Sequence, residues 1–357
     1  MPSVPSTPSS QPATPAAGEA PPRFTVVVVD HPFADLAAER RILGEIGAQV
    51  IDAQVQTEAE ATALCRRADA VLVRRFPLRR ATIKAMERCR VICNYGAGYD
   101  NVDAAAARER GIVVAATAGY GDDEVASHTL ALLLALARRI VPQRAALAAS
   151  AAAAAAGEGG VADGSGSVAW SHTPYAPIRR LRQQTLGLIG LGRIGGAVAR
   201  KAAALDLRVI ACDPVTSSET AAALGVQLVS KEELLAEADF VSLHTPLTPG
   251  TRHLIGEAEL AAMKATAYLL NCARGGLVDQ AALQRALAEG RLAGAGLDVL
   301  EHEPPRPEAI RALLAMPNVI VTPHVAWYSE ESIMDRQRLA AETVRQALLE
   351  QAQHSPA

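Results

Sequence analysis

Aromatic residues are scarce in this chain, at 3% of its 357 positions. Half of all residues are hydrophobic, so the interior must be filled by Ala, Val, Leu and Ile, the composition of parallel sheets covered by Ala-rich helices. Charge of one sign is lacking as well. A formal net charge of −3, from 35 basic and 38 acidic residues, gives no bulk attraction to nucleic acid or to an anionic membrane surface. Cysteine is sparse: Cys65, Cys89, Cys93, Cys212 and Cys272 are an odd set in a long chain. That argues for reduced thiols and a cytoplasmic setting rather than a disulfide framework. Cys89 and Cys93 lack a second ligand pair, so no metal site is expected. No uncharged apolar run is long enough for a membrane span, and the opening residues lack the basic start and apolar stretch of a signal peptide.

What is present is a repeated β–α rhythm long enough for two domains. Residues 1–22, rich in Pro, Ser and Ala, cannot bury enough surface to offset their ordering entropy and read as a disordered tail. Apolar runs then predict strands at Phe24–Val29, Ala70–Val73, Arg90–Cys93 and Ile112–Ala115. The stretch Asp122–Arg139 predicts a helix with acids in its first turn and arginines in its last. Residues 149–167 are a low-complexity insertion, an Ala-rich half with helical potential and a Gly/Ser half that reads as a loop. A second series predicts strands at Leu186–Ile189, Arg208–Ala211, Phe240–Leu243, Tyr268–Leu270, Gly294–Leu297 and Val319–Val321, and the chain ends in a helix over Glu330–Gln351. The expected fold is α/β. Two Rossmann-like parallel-sheet domains, one flavodoxin-like and one dinucleotide-binding, would flank a cleft. A substrate-binding domain would comprise 23–121 and 325–352, and an NAD-binding domain 122–324.

The strongest local motif is Gly190-x-Gly192-x-x-Gly195 between a predicted strand and helix. The first glycine permits a tight turn, the second a close backbone approach to a pyrophosphate, and the third close helix–strand packing. The helix N-terminus that follows is suited to phosphate. Asp213 closes the next strand, 18 positions past Gly195, where a carboxylate can accept from both ribose hydroxyls. Its charge would repel a 2′-phosphate, and Pro214, Val215 and Thr216 supply no arginine to receive one. NAD is therefore favoured over NADP.

Three chemically capable side chains follow strand ends in the second series: Arg274 in NCARGG, Glu303 in LDVLEHEPP and His324 in TPH. A guanidinium can hold a carboxylate through a bidentate fork. An imidazole can protonate a developing alkoxide, and a neighbouring carboxylate favours its charged form. Glu301 competes with Glu303 for that last role. Arg74 and Arg75, after a strand of the first series, either face the substrate or are solvated.

The runs GLIGLGRIG, VSLHTPLT, NCARGGLVD, GLDVLEHEPP and TPHVAWYSEES, with CNYGAGYDNVD and EVASHTLALLLALARR upstream, resemble the D-isomer-specific 2-hydroxyacid dehydrogenases. Among these, TPHVAWYSEES is most similar to the C-terminal binding protein branch. The resemblance implies NAD-dependent interconversion of a small 2-oxo acid and its D-2-hydroxy acid. It also implies Arg274, Glu303 and His324 as the catalytic set and a homodimer formed through the cofactor domain. The backbone N–H groups of Ala97 and Gly98 would hold the substrate carboxylate, with Arg274, His324 and Trp327 completing the pocket. Gly190, Gly192, Arg193, Ile194, Gly195, Asp213, His244, Thr245, Pro246, Thr251, Cys272, Ala273 and Asp298 would meet the cofactor, Asp298 on its nicotinamide side. The same branch implies one alternative, an NAD(H)-sensing corepressor-like binding protein.

Overall fold

The computed structural model describes residues 22–156, 170 and 177–354. They fall into two compact units, one running up to Tyr120 and resuming at Glu330, the other Gly121–Ser329. Residues 1–21 and the Gly/Ser part of the insertion lie outside the described residues.

In the first unit, strands β1 (Phe24–Val28), β2 (Ala48–Asp52), β3 (Ala70–Val73), β4 (Val91–Asn94) and β5 (Val113–Ala116) pair in parallel in the order β2-β1-β3-β4-β5. That is the flavodoxin-like order. Side chains alternate between faces: Val26, Val28, Leu72 and Cys93 enter one core, while Val27, Val71, Val73 and Ile92 enter the other. The helix Glu330–His354 returns to cover the first of these, burying Ala340, Ala341, Val344 and Leu348 against Phe24, Leu36 and Leu43.

That contact contains one buried acid. Glu39 is fully buried and accepts from Tyr95 Oη at 2.8 Å and from Gln337 Nε2 at 3.0 Å. Burial raises its pKa, and the bonds from Tyr95 and Gln337 oppose the rise. A carboxyl whose folded pKa is raised contributes stability that is present below its unfolded value and is lost as pH climbs through the folded one. Tyr95→Phe removes a donor and lifts the folded value further. It should therefore cost about 1–3 kcal/mol near pH 7 and less near pH 4.5. Urea titrations at the two pH values would check this, and a loss independent of pH would contradict it.

In the second unit, β6 (Thr185–Ile189), β7 (Arg208–Cys212), β8 (Gln227–Leu228), β9 (Phe240–Leu243), β10 (Tyr268–Asn271), β11 (Gly294–Leu297) and β12 (Val319–Val321) pair in parallel. Their order is β12-β11-β10-β9-β6-β7-β8. The strand direction of travel reverses between β6 and β9, the switch point where such sheets bind ligands beyond their carboxyl ends.

The helix Asp122–Ala137 carries Asp122, Asp123 and Glu124 in its first turn. The arginines expected in its last turn instead end it: Arg138 is the C-cap, and Arg139 adopts a left-handed φ of 51°. A second helix, Ile140–Ala155, then runs into the Ala half of the insertion. Among the described residues no single helix is long and apolar enough to cross a membrane.

One expected boundary moves. Residues 325–329 belong to the second unit, not the first, because their local bonds are made there. Val325 and Ala326 donate their backbone N–H groups to the Asp298 carboxylate at 3.0 and 2.9 Å, and Ser329 Oγ donates to Glu124 at 2.7 Å.

Candidate active site

The glycine turn is built as the spacing requires. Gly190 has φ +98°, and a Cβ there would stand 2.6 Å from the His244 carbonyl oxygen. A Cβ on Gly195 would lie 2.3 Å from the Gly190 oxygen, so the helix Arg193–Ala203 seats directly on the turn. Around Gly192 no atom lies within 4 Å of a built Cβ, which leaves room for a phosphate group to reach the backbone. Ile194 packs against the core, whereas Arg193 pairs with Asp122 at 3.0 Å.

Asp213 stands at the end of β7 with its carboxylate pinned. Oδ2 accepts from Leu191 N at 2.7 Å, and Oδ1 accepts from Val215 N and Thr216 N at 2.8 and 2.9 Å. Burial pushes its pKa up, but these backbone donors outweigh burial and hold it below the usual value.

Opposite the glycines, the turn after β9 supplies His244, Thr245 and Pro246. Burial pulls the His244 pKa down to about 4, so its imidazole is neutral, and Nε2 lies 2.9 Å from Ser242 Oγ. Thr245 Oγ1 is buried with no hydrogen-bond partner among the described residues. An orphaned hydroxyl beside an open glycine turn is what a missing polar ligand leaves behind. The residues present therefore fit a dinucleotide.

The catalytic candidates share one edge. Register pairs Asn271 with Leu297 and Leu297 with Val321, so the segments after β10, β11 and β12 emerge side by side. A Cβ on Gly275 would lie 1.9 Å from the Leu300 oxygen, so only glycine lets the Arg274 loop lie on the Leu300–Glu303 loop. Arg274 Nη1 donates to the Ala273 oxygen at 2.8 Å. Glu303 Oε1 accepts from Leu300 N at 3.0 Å, and Oε2 lies 2.5 Å from His324 Nδ1. With Nδ1 facing the carboxylate, Nε2 is the nitrogen available to move a proton. His324 holds φ +56°, and its N–H donates to the Asp298 and Thr322 oxygens at 2.8 and 3.0 Å. Trp327 Nε1 donates to the His324 oxygen at 3.0 Å.

In the first unit, the Ala97 and Gly98 N–H groups take no partner among the described residues. The turn is held by Asn94, whose Oδ1 accepts from Gly96 N at 2.6 Å.

A model of the NAD-binding domain of D-isomer-specific 2-hydroxyacid dehydrogenases matches residues 130–326. A glyoxylate reductase of Korarchaeum cryptofilum is 40% identical over 268 residues, 75% of this chain and 76% of that protein. The chain belongs to the D-isomer-specific 2-hydroxyacid dehydrogenase family. A D-3-phosphoglycerate dehydrogenase of Methanocaldococcus jannaschii is 39% identical over 310 residues, 86% of this chain but 55% of that protein. The D-lactate dehydrogenase of Aquifex aeolicus, solved with NAD and lactic acid, superimposes with a TM-score of 0.74 at 27% identity, covering 93% of this chain and 100% of that one. As a member of this family, the protein is an oxidoreductase that uses NAD.

Within this 2-hydroxyacid dehydrogenase, several of the expected site residues also bond within the protein. Asp298 turns inward at 2% exposure, and besides Val325 and Ala326 it accepts from Thr322 Oγ1 at 2.5 Å. These bonds tie the end of β11 to the His324 loop. Thr251 spends its hydroxyl inside its own turn, donating to the Pro246 oxygen at 2.7 Å and accepting from Thr248 N at 2.7 Å. Cys272 is buried, which pushes its thiol up to about 12. Burial likewise pushes Cys65, Cys89 and Cys93 to about 12, and all five cysteines are free thiols. Glu301 pairs with His253 at 2.7 Å and Arg252 at 2.9 Å, away from His324.

Two positioning residues were not read from the sequence. Asn271 accepts from Ala273 N at 3.0 Å and donates to the Arg274 oxygen at 2.9 Å, which shapes the Arg274 loop. His128 Nε2 lies 3.0 Å from Thr322 Oγ1. The available signals were an Asn ending an otherwise apolar strand and a His within an otherwise apolar helix.

Proposed function

We propose that this protein reduces a small 2-oxo acid to the corresponding D-2-hydroxy acid. The observation that carries this reading is the Glu303–His324 contact on the same sheet edge as the Arg274 loop. NADH, when bound, supplies the hydride. Arg274 holds the substrate carboxylate and polarises the keto oxygen. The Ala97 and Gly98 N–H groups cradle the carboxylate further. His324 delivers a proton from Nε2 to the alkoxide while Glu303 steadies the imidazolium through Nδ1. Gly190, Gly192, Gly195 and the N-terminus of the Arg193–Ala203 helix hold the pyrophosphate, Asp213 a ribose hydroxyl, and Thr245 a polar group beside the glycine turn. Trp327 walls the substrate pocket. A homodimer in the cytoplasm is the setting we infer. The nearer likeness to the C-terminal binding proteins rests on the TPHVAWYSEES run, and the reductases and dehydrogenases among its relatives favour turnover over an NAD(H)-sensing role.

Cofactor choice follows from Asp213, whose pinned charge faces the place a 2′-phosphate would occupy. Assayed with glyoxylate, hydroxypyruvate and pyruvate, NADH should exceed NADPH in kcat/KM by about tenfold or more, roughly 1.4 kcal/mol. Equal efficiency with the two cofactors would refute the role given to Asp213. No turnover of any 2-oxo acid would refute the function itself.

A further inference from the structure

One helix grips the segment that carries His324. Gly121 is the N-cap of the helix Asp122–Ala137, and the i, i+4 spacing of Glu124 and His128 sets those two side chains on one of its faces. Each of the three meets a different part of residues 322–329. His128 Nε2 lies 3.0 Å from Thr322 Oγ1, and Ser329 Oγ donates to Glu124 at 2.7 Å. A Cβ on Gly121 would stand 3.2 Å from the Trp327 oxygen, so the segment lies directly on the start of the helix.

The His128 contact belongs to a chain of bonds with a fixed direction. A carboxylate only accepts, so the single hydroxyl proton of Thr322 goes to Asp298 Oδ1 at 2.5 Å. Thr322 Oγ1 then accepts from His128, which places a proton on His128 Nε2. That nitrogen stands 3.8 Å from Asp298 Oδ1. The Asp298 carboxylate, 2% exposed at the residue, passes the restraint on to the N–H groups of Val325 and Ala326, the two residues that follow His324.

His324 needs such restraint because it holds φ +56°. A non-glycine residue keeps a left-handed backbone only where its surroundings over-determine it. Loosening one restraint lets the segment relax toward ordinary backbone and takes the imidazole with it. A proton donor displaced by a fraction of its hydrogen-bond length loses rate more than it loses binding. We propose that His128 is a positioning residue for proton transfer, which acts through Thr322 and Asp298 to hold His324 in its strained, productive placement. This rests on the dehydrogenase reading above.

The test is kinetic, with the full chain, NADH and whichever of glyoxylate, hydroxypyruvate and pyruvate turns over fastest. His128→Leu should lower kcat by about tenfold or more, with the KM of the 2-oxo acid and the Kd of NADH changed by less than about threefold. His128→Gln, whose amide N–H can take the place of Nε2–H, should recover most of that loss. Thr322→Val removes the hydroxyl that both partners share. The double variant His128→Leu/Thr322→Val should therefore be no slower than the slower single variant, within about twofold. A second comparison is made in the His324→Asn protein. With the proton donor gone its placement no longer matters, so adding His128→Leu should slow the residual rate by less than about twofold. A His128→Leu kcat close to that of the unaltered protein, or the same fold-loss with and without His324, would overturn the role. Should His128→Leu lose its helical circular dichroism, Thr322→Val replaces it in both backgrounds and is judged in the same way. No turnover of any of the three acids by the unaltered protein overturns the dehydrogenase reading, and the His128 role falls with it.

Discussion

Replacing His324 by Asn should cut kcat for 2-oxo acid reduction by about 10²–10⁴, the usual worth of a positioned general acid. Asn is the informative replacement because the backbone there holds φ +56°, a conformation that Asn tolerates better than Ala. The loop should therefore stay in place, and the loss would report the missing proton donor. The partner makes a sharper test. Glu303 Oε2 lies 2.5 Å from Nδ1, and reduction requires the charged imidazolium. Glu303→Gln keeps the shape but removes the carboxylate that steadies and orients the imidazolium. It should lower kcat by about tenfold or more with little change in KM. Glu301→Gln should leave kcat in place, since Glu301 faces Arg252 and His253. An unchanged kcat in Glu303→Gln, or an equal loss in Glu301→Gln, would remove the assignment.

The choice between those two glutamates shows where the sequence stops. Two carboxylates two positions apart in one loop carry the same chemistry, and only the fold decides which turns to the imidazole. Leu300 N fixes Glu303 Oε1, while the Arg252–His253 turn claims Glu301. Strands buried on both faces, such as β3 and β9, were legible because parallel sheets need continuous apolar runs. β2 escaped notice because it is an edge strand, with AQVID only partly buried; β8 is two residues long and has no pattern to detect. The glycine turn was legible because its steric demands are local. The bonds of Asp298 were not legible, because nothing in LDVLEHEPP announces that three donors of the 322–326 segment converge on it. Arg336 was illegible for another reason. A charged residue in a polar helix reads as solvated until the packing shows that its position is buried.

Arg274 should prove to be the clamp on the substrate, and Lys is the replacement that tests its geometry rather than its charge. One edge of the guanidinium is held by the Ala273 oxygen at 2.8 Å, and Asn271 and Gly275 shape the loop beneath it. A planar fork so anchored can give a carboxylate and its neighbouring keto oxygen two directed donors, whereas an ammonium group gives a point charge on a flexible stem. Losing one charge-assisted hydrogen bond costs about 1.5–3 kcal/mol, so Arg274→Lys should lower kcat/KM by roughly ten- to a hundredfold. Part of that loss should fall on kcat, because polarisation of the keto oxygen grows as the alkoxide forms. NADH affinity, followed by fluorescence titration, should hold nearly constant, since the residues assigned to the pyrophosphate and the ribose, the glycine turn and Asp213, follow β6 and β7 and not β10. If NADH binding instead collapses while the KM for the 2-oxo acid is preserved, Arg274 serves the cofactor, and the carboxylate must be held by another cation.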